Sequence, residues 1–470
     1  MATAGREEEV PRSSILKVAL ASLVGTSIEW YDFFLYGTAA ALVFNQLFFP
    51  EVDPLIGTLA AFATFGVGFV ARPIGGLVFG HLGDKLGRKA MLVTTLMIMG
   101  IATFIIGLLP SFATIGLWAP ALLVILRLAQ GFGVGGEWGG AVLMAVEHSP
   151  EGRRGFYGSW PQMGVPIGLL LSTAVFSLFS NITTDEQFLA WGWRIPFLLS
   201  IVLVGVGLFI RLRIAESPAF EQLQRMQQRV QESRRQEEQA QESQSEEEVE
   251  TPHRFPIVDV VRQQPRNVLE AMGMRMAENG SFYIFSVFVL AYTTEQLGLP
   301  RNVILNGVLL AAFLEIFTIP AFGALSDKLG RRPVYMFGAL FSLAFAFPYF
   351  WLTDTRSTTL IWVAIVLALC IGHAGMYGPQ ASFFSELFAT GVRYSGASIG
   401  YQLASVIAGG FSPFIATALL AWAGGNPWPV AVYMMVLAAI TAIAVFFAGE
   451  TYKSDIYGAR AQQRKLAEEG

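Results

Sequence analysis

The chain has 470 residues, of which 54% are hydrophobic and only 14% are charged. A soluble protein of this length would carry roughly a quarter charged residues, so the composition predicts an all-α polytopic membrane protein. The formal net charge of −4 does not indicate a nucleic-acid partner, and the single cysteine, Cys370, excludes an intrachain disulfide.

Twelve apolar segments, each long enough to cross a lipid bilayer as a helix of about 20 residues, follow one another along the chain. Helix is the expected form because it satisfies every backbone polar group within a single segment. The polar, acidic start of the chain is unlike a signal peptide. The predicted spans are 17–43, 57–79, 91–109, 118–146, 154–180, 194–211, 268–292, 302–324, 334–352, 359–386, 395–421 and 428–448.

The basic residues of the short connections fall mainly on alternate connections, which assigns that side of the protein to the cytoplasm. Both termini are then predicted to be cytoplasmic, in a multi-pass protein of the cell membrane. The basic residues concerned are Lys85, Arg88, Lys89, Arg153, Arg154, Lys328, Arg331, Arg332 and Arg393.

The predicted domains are two six-helix bundles, with a linker between them and a cytoplasmic tail at each end. The linker is rich in Gln and Glu and nearly free of apolar residues, which is typical of a solvated tether. A partner-binding coil is the alternative interpretation of this segment. The boundaries are 1–16 for the first tail, 17–211 and 267–448 for the bundles, 212–266 for the linker and 449–470 for the second tail.

A short basic motif occurs twice, as GHLGDKLGRK at 80–89 and as GALSDKLGRR at 323–332. Each copy follows the second span of its half and lies on the predicted cytoplasmic side. A generic basic turn would not recur in register. The repeat therefore indicates a transporter built from two related bundles.

Both copies resemble the loop signature of the major facilitator superfamily, G-x-x-x-D-x-x-G-R-[RK]. Within that superfamily the chain resembles the metabolite:proton symporter family, and especially its shikimate permease branch. The stretches that carry the resemblance are IEWYDFFLYG (28–37), TAAALVFNQLFFP (38–50), ARPIGGLVFGHLGDKLGRK (71–89), RLAQGFGVGGEWGGA (127–141) and TTDEQFLAWGWRIPFLLS (183–200).

The resemblance implies two bundles related by pseudo-symmetry, which transport a small metabolite by alternating access between the two sides. It leaves the substrate open, because family members carry different metabolites. It also implies a cytoplasmic gating latch at the loop motif, formed by Gly80, Asp84, Gly87, Arg88, Asp327, Gly330 and Arg331.

Charged side chains inside apolar spans are costly and usually face a partner or a water-filled cavity. Asp32 lies roughly 22 Å into the first span, with Glu29 on the same helical face, and Arg127 lies near the middle of the fourth span. By similarity to proton-coupled sugar symporters, we predict that Asp32 and Arg127 pair in proton coupling. Glu29 could instead carry or share the proton, and a purely structural ion pair is the competing interpretation.

Arg72, in the second span, could pair with Glu29 or bind a substrate carboxylate through two hydrogen bonds. A sugar-acid ligand also needs hydrogen-bonding groups and aromatic faces, although each such group could be structural by itself. The Asn279-Gly280 pair predicts a break in the seventh span, of the kind that lines transport sites. The candidate substrate-binding residues are Phe33, Tyr36, Arg72, Trp160, Gln162, Asn279, Tyr283, Tyr401 and Gln402.

Further polar groups lie at membrane depth in the second half. Arg275 and Glu278 are spaced to neutralise each other on one helix. Glu315, His373 and Gln380 are each interpreted as structural polar groups, although a histidine could titrate near neutral pH.

These features predict a secondary active transporter that takes up a small organic acid, such as shikimate or a related carboxylate, together with protons. It is expected to work as a monomer in the lipid bilayer. A proton symporter for a zwitterion such as proline or betaine is the alternative. An exporter is less favoured, because WPQMGVPIG (160–168) departs from the antiporter signature. Four scattered histidines and no P-loop indicate neither an enzyme, a metal site nor a cofactor.

Overall fold

The computed structural model describes residues 12–86, 88–135, 138–147, 149–150, 152–213, 262, 264–388 and 393–453. Every regular element among these residues is helical. Most of the predicted linker and of both predicted tails lies outside the described residues. So do Gly87 and the side chains of Asp84 and Arg88 in the loop motif.

The described helices form a first half (residues 12–213) and a second half (residues 264–453). The α-helices of the first half are Arg12–Leu42, Phe44–Phe48, Pro54–Leu86, Arg88–Leu108, Phe112–Ile115, Trp118–Val134, Trp138–Glu147, Arg154–Gln162, Gly164–Ile182, Asp185–Gln187 and Arg194–Arg213. Those of the second half are Pro265–Tyr283, Val289–Ala291, Arg301–Leu329, Arg331–Asp354, Thr358–Leu367, Ala374–Leu387, Arg393–Ala404, Ser412–Trp422 and Trp428–Phe447.

Wider π-helical turns interrupt several of the long helices. Such turns expose backbone groups that a regular α-helix would satisfy, and they are frequent at functional sites. Four of the five in the described chain lie in the second half. They are Phe188–Gly192, Ile284–Phe288, Tyr292–Gln296, Ala368–His373 and Ser405–Gly410.

By length and apolar composition, seven of the described helices could cross a membrane. An eighth span results if the bent pair Asp185–Gly192 and Arg194–Phe209 is counted as one. Helical residues also occupy the other predicted spans. Those helices are shorter, or they carry more polar residues, as does Pro265–Tyr283. The total of twelve spans and the side on which the termini lie remain predictions.

The predicted break at Asn279-Gly280 is wrong, because the Pro265–Tyr283 helix runs through both residues and the wide turn begins only at Ile284. Gly280 serves close packing instead. A Cβ there would come within 2.5 Å of the Leu437 side chain and 3.1 Å of the Ala408 carbonyl oxygen.

Each half packs mainly within itself, and the two halves also meet along long helices. In the first half, Arg12–Leu42 packs against Gly164–Ile182, and in the second, Pro265–Tyr283 packs against Trp428–Phe447. Between the halves, Arg301–Leu329 lies along both Arg154–Gln162 and Gly164–Ile182. The residues that line this interface are therefore where a site shared by both halves can form.

Glycines bring the Pro54–Leu86 and Trp118–Val134 helices unusually close together. A Cβ at Gly131 would overlap the Gly68 carbonyl, and one at Gly135 would overlap the Arg72 carbonyl. The close approach packs Arg72 and Arg127, one from each helix, into the same buried core beside Phe33.

Candidate functional site

A small cavity lies between the two halves, and we call it the central cavity. Its volume is about 20 Å³, enough for about one water molecule. The first half supplies most of its wall, and the second half supplies two residues. Its lining residues are Thr26, Glu29, Trp30, Arg72, Val134, Trp138, Ala141, Pro161, Tyr401 and Gln402.

Arg72 is the buried cation of the central cavity. Its guanidinium lies 4.2 Å from the ring centroid of Phe33, 4.3 Å from that of Phe69 and 5.4 Å from that of Trp30. Within the described part of the chain, its Nε and Nη2 atoms have no hydrogen-bond partner. These two atoms form the edge of the guanidinium that binds a carboxylate through two parallel hydrogen bonds. The cavity wall therefore offers a donor pair suited to a carboxylate.

Arg127 is equally buried, but it packs among aromatic rings and is held by neutral groups. Its Nη1 donates to Gln130 Oε1 at 3.1 Å, and its Nε donates to the Phe65 carbonyl at 3.4 Å. Its guanidinium lies 4.1 Å from the Phe33 centroid and 4.3 Å from that of Tyr36. The ring of Phe33 thus contacts two cations, Arg72 and Arg127.

Asp32 and Arg127 form no ion pair among the described residues, so the predicted contact is absent from this structure. Asp32 faces the Thr103 hydroxyl, and its Oδ1 atom has no hydrogen-bond partner in the described chain. Gln130 donates through Nε2 to Thr103 Oγ1 at 2.7 Å and accepts from Arg127. Two neutral side chains separate the predicted partners, because the amide of Gln130 occupies the near edge of the guanidinium.

The central cavity is not lined by three of the predicted substrate residues of the first half, Tyr36, Gln162 and Trp160. Tyr36 is buried and donates to Thr64 Oγ1 at 2.7 Å. Gln162 accepts from Trp138 Nε1 and donates to the Tyr377 carbonyl, both at 3.1 Å, so it joins the two halves. Trp160 does not line the cavity. It is half-buried and packs against neighbouring aromatic residues of its own helix.

The predicted residues of the second half are all buried, and three of them, Tyr283, Tyr401 and Gln402, contact the first half. Tyr401 stacks on Trp138 of the first half, with ring centroids 3.7 Å apart. Gln402 donates to the Gly135 carbonyl at 3.0 Å, while its Oε1 has no partner in the described chain. Tyr283 packs against Phe33, and Asn279 lies beside the backbone of the Ser405–Gly410 turn.

A charged cluster, of which the sequence indicated only the Arg275–Glu278 pair, lies within the second half. We call it the second-half cluster, formed by Arg275, Glu278, Glu315, His373 and Gln380. The predicted pairing of Arg275 with Glu278 is present, with Nη1 and Oε2 2.5 Å apart. Gln380 contacts both members of that pair, accepting from the arginine and donating to the glutamate.

His373 joins the two carboxylates of the second-half cluster. Its Nε2 lies 3.1 Å from Glu278 Oε1, and its Nδ1 contacts Glu315 Oε1. These residues come from three helical regions that are distant in sequence, so their spacing does not reveal the contact. The one available signal was that each is an ionisable residue within an apolar span of the same half.

The face that carries the loop motif is closed by contacts between the halves. Asp327 accepts from the backbone amides of Gly155 at 2.7 Å and Phe156 at 2.9 Å. Arg331 bonds Asp327 at 2.7 Å and Glu386 at 3.2 Å. Glu386 was not among the predicted residues. It lies near the C-terminal end of the Ala374–Leu387 helix, where it pairs with Arg331.

The opposite face is also bridged by polar contacts between the halves. Arg301 forms an ion pair with Asp185 and donates to Ser180 Oγ at 2.7 Å. Glu295 accepts from Thr58 Oγ1 at 3.0 Å and from Asn45 Nδ2 at 3.1 Å. A second cavity of about 530 Å³ lies among these residues. The halves therefore contact each other on both faces.

The sequence and the fold were compared with known proteins. The profile of the family described as "Sugar (and other) transporter" matches residues 17–461. The shikimate transporter of Escherichia coli is 48% identical over 430 residues, which cover 91% of this chain and 93% of that protein. The proline/betaine transporter of Salmonella typhimurium is 36% identical over 97% of this chain and 88% of its own length.

Solved structures of the E. coli proton:xylose symporter XylE have a similar fold. The complex with 6-bromo-6-deoxy-D-glucose gives a TM-score of 0.69 at 16% identity, covering 94% of this chain and 97% of that one. The partially occluded, inward-open form gives the same TM-score at 18% identity, covering 94% and 100%. At this identity the similarity concerns the fold alone.

Proposed function

The chain belongs to the sugar (and other) transporter family of the major facilitator superfamily, and on that premise we propose that it takes up a small organic acid together with protons. It is a multi-pass transporter of the cell membrane and not an enzyme. The substrate class that we propose is a hydroxylated carboxylate such as shikimate. The relative named as a shikimate transporter supports this choice.

The free donor edge of Arg72 is the observation that carries the proposal. Buried hydrogen-bond donors without an acceptor are destabilising, and a substrate carboxylate bound to Nε and Nη2 would supply the missing acceptor. Gln402 Oε1 is available in the same cavity for a substrate hydroxyl, and the indole of Trp30 offers an apolar face. The central cavity must widen to admit such a molecule.

Proton coupling is assigned to Asp32, Glu29 and Arg127. When Asp32 is ionised, the cation of Arg127 attracts it through the short path of Thr103 and Gln130. Protonation removes that attraction and leaves the first-span helix free to move against the fourth. Glu29 lines the central cavity with Arg72, so a substrate carboxylate there would favour its protonated form.

The transport cycle that we propose follows from the two bridged faces. Twelve spans, in two six-helix bundles with cytoplasmic termini, would rock about the central cavity in a single copy of the chain. The latch at Asp327 and Arg331 would open toward the cytoplasm, and the contacts of Arg301 and Glu295 would open toward the outside. In this cycle, the present arrangement with contacts on both faces would be the intermediate between the two open states.

A proton symporter for a zwitterion is the second candidate. Glu29 and Arg72 line the same cavity and could hold the ammonium and carboxylate groups of one ligand. Relatives named as proline/betaine transporters support this alternative.

The deciding experiment is uptake into proteoliposomes that contain the full chain, with and without an inward proton gradient. The radiolabelled probes are shikimate, 2-oxoglutarate, citrate, proline and betaine. Gradient-dependent accumulation of shikimate is the expected result, whereas accumulation of proline or betaine alone would select the second candidate. Faster loss of preloaded label under the gradient would identify an exporter and overturn the proposed direction.

A matched pair of variants tests the role of Arg72. Arg72→Lys keeps the charge but removes the paired donor edge, so the apparent affinity for the transported acid should fall about tenfold or more. Arg194→Lys is the control, because Arg194 bonds backbone carbonyls far from the central cavity. An unchanged affinity in Arg72→Lys would contradict the assignment.

A further inference from the structure

The second-half cluster contains buried ionisable groups that the coupling by Asp32 does not use. Glu278, Glu315 and His373 are each at most 3% exposed. Burial of this many ionisable groups is costly unless their charges and hydrogen bonds balance. Their contacts therefore define which protonation state the structure can hold.

The position of His373 between two carboxylates requires one proton more than a neutral ring supplies. A neutral imidazole has a single N–H and can donate to only one partner. Here Nε2 faces Glu278 Oε1 and Nδ1 faces Glu315 Oε1, both within hydrogen-bonding distance. Either the ring is an imidazolium or one carboxyl is protonated, because otherwise a lone pair would face a carboxylate.

The charge count leads to the same state. With the extra proton, the cluster holds the positive charges of Arg275 and the imidazolium against two carboxylates, and its net charge is zero. Without that proton the buried cluster carries one uncompensated negative charge. Glu278 also has Arg275 and Gln380 as partners, whereas Glu315 Oε2 has none in the described chain. The burial of Glu315 is thus the one that relies most on the extra proton for charge balance.

The cluster is mechanically connected to the central cavity. The guanidinium of Arg275 lies 3.3 Å from the ring centroid of Tyr401, which lines that cavity and stacks on Trp138 of the first half. A ligand that moves Tyr401 would shift Arg275. Because Arg275 pairs with Glu278, this shift would change how strongly Glu278 interacts with His373. Occupancy of the cavity and proton affinity of the cluster are then linked.

We propose that His373 and Glu315 form a second proton-binding site, loaded in the closed arrangement and emptied when the halves separate. Its role in transport rests on the proposed function, whereas the binding of the proton itself does not. The charged and titratable groups that face His373 directly or through its neighbours are Arg275, Glu278, Tyr283, Glu315, Tyr335, Cys370, Tyr377 and Tyr401.

The proton can be tested without any substrate. The full chain, labelled with ¹⁵N-histidine in lipid nanodiscs, is examined by NMR and by infrared spectroscopy at neutral pH. The expected result is a doubly protonated ring signal that His373→Gln removes, or a protonated-carboxyl band that Glu315→Gln removes. Cys370→Ala is the control, since Cys370 lies beside the cluster without bonding to it. A neutral His373 ring with no such band in the wild type would overturn the proposal.

A transport assay tests the role of this proton. Using radiolabelled shikimate, Glu315→Gln should retain exchange without a gradient while losing most of the accumulation that a proton gradient drives. Full accumulation in Glu315→Gln would overturn the role of the cluster and leave the proposed function intact. If the wild type accumulates none of the five probes, the proposed function fails, while the spectra still decide whether the proton is bound.

Discussion

Asp32 and Arg127 are both buried in the first half, yet two neutral side chains lie between them. The hydroxyl of Thr103 faces the carboxylate, and the amide of Gln130 bonds both that hydroxyl and the guanidinium. A direct ion pair would hold its helices in one position. A path of hydrogen bonds can instead lengthen or reorder when the carboxylate gains a proton, which suits the coupling role that we propose for Asp32.

Asp32→Asn should abolish uphill transport but leave exchange partly intact. A gradient of one pH unit drives about tenfold accumulation when one proton accompanies each substrate, and the asparagine cannot carry that proton. The measurement compares accumulation with exchange of preloaded label in proteoliposomes. If Asp32→Asn still concentrates its substrate against a gradient, the coupling role belongs elsewhere.

Gln130→Leu should destabilise the first half. The leucine leaves Thr103 and the Nη1 atom of Arg127 without their amide partner in a buried site, at an expected cost of about 1–3 kcal/mol. A thermal unfolding series in detergent would detect the lower midpoint. Gln46→Leu is the control, because that side chain is exposed. Equal midpoints for the two variants would mean that the path contributes no stability.

Gly155→Ala should prevent closure of the face that carries the loop motif. A Cβ at Gly155 would overlap the Gly323 carbonyl and crowd Ser326 and Arg331 across the interface. Spin labels at the exposed positions Arg153 and Lys328, in a Cys370→Ala background, should report a longer distance than in the parent.

The matched glycine change for that experiment is Gly205→Ala. A Cβ at Gly205 would meet nothing within 4 Å, so the label distance should stay at its parental value. A distance that Gly155→Ala leaves unchanged would mean that the interface adapts to the extra methyl group.

Closure of the opposite face should depend on pH through Glu295. The residue is exposed overall, but its carboxyl end is enclosed beside Thr58 and Asn45, and this loss of water raises its pKa despite the opposing hydrogen bond from Thr58. A raised pKa favours the protonated form, so closure is most stable below the usual carboxyl pKa. It weakens as the pH rises through the raised value.

Spin labels at the exposed positions Glu186 and Thr355, in the same cysteine-free background, can follow that face as the pH is raised. The population with a short distance should fall with rising pH, and Glu295→Gln should remove most of this dependence. A pH profile that Glu295→Gln leaves unchanged would mean that Glu295 does not cause the effect.

The sequence was sufficient to predict a helical membrane protein of this superfamily and the burial of its charged residues. Apolar segments of spanning length leave few alternatives to helix, and an ionisable residue inside such a segment must be shielded. Arg72 could be named as a candidate substrate-binding residue for that reason, and Gln402 because it is a hydrogen-bonding group within an apolar segment. The Arg275–Glu278 contact could be predicted because both residues belong to one helix.

The sequence alone did not predict which side chains from different helices contact each other. Whether Arg127 bonds Asp32 or Gln130 depends on rotations and depths of three packed helices, which apolar periodicity does not determine. The same limit hid the contact of His373 with Glu278 and Glu315. The prediction at Asn279-Gly280 was wrong for a related reason. In a sequence, a glycine that allows a neighbouring helix to pack closely cannot be distinguished from a glycine that ends a helix.

The small central cavity has a consequence for kinetics. The central cavity has room for only about one water molecule, so a larger ligand can bind only after the halves move apart. The observed binding rate should then stop rising at high ligand concentration and level off at the opening rate of the protein. Substrates of different affinity would share the same maximal binding rate and would differ in their dissociation rates.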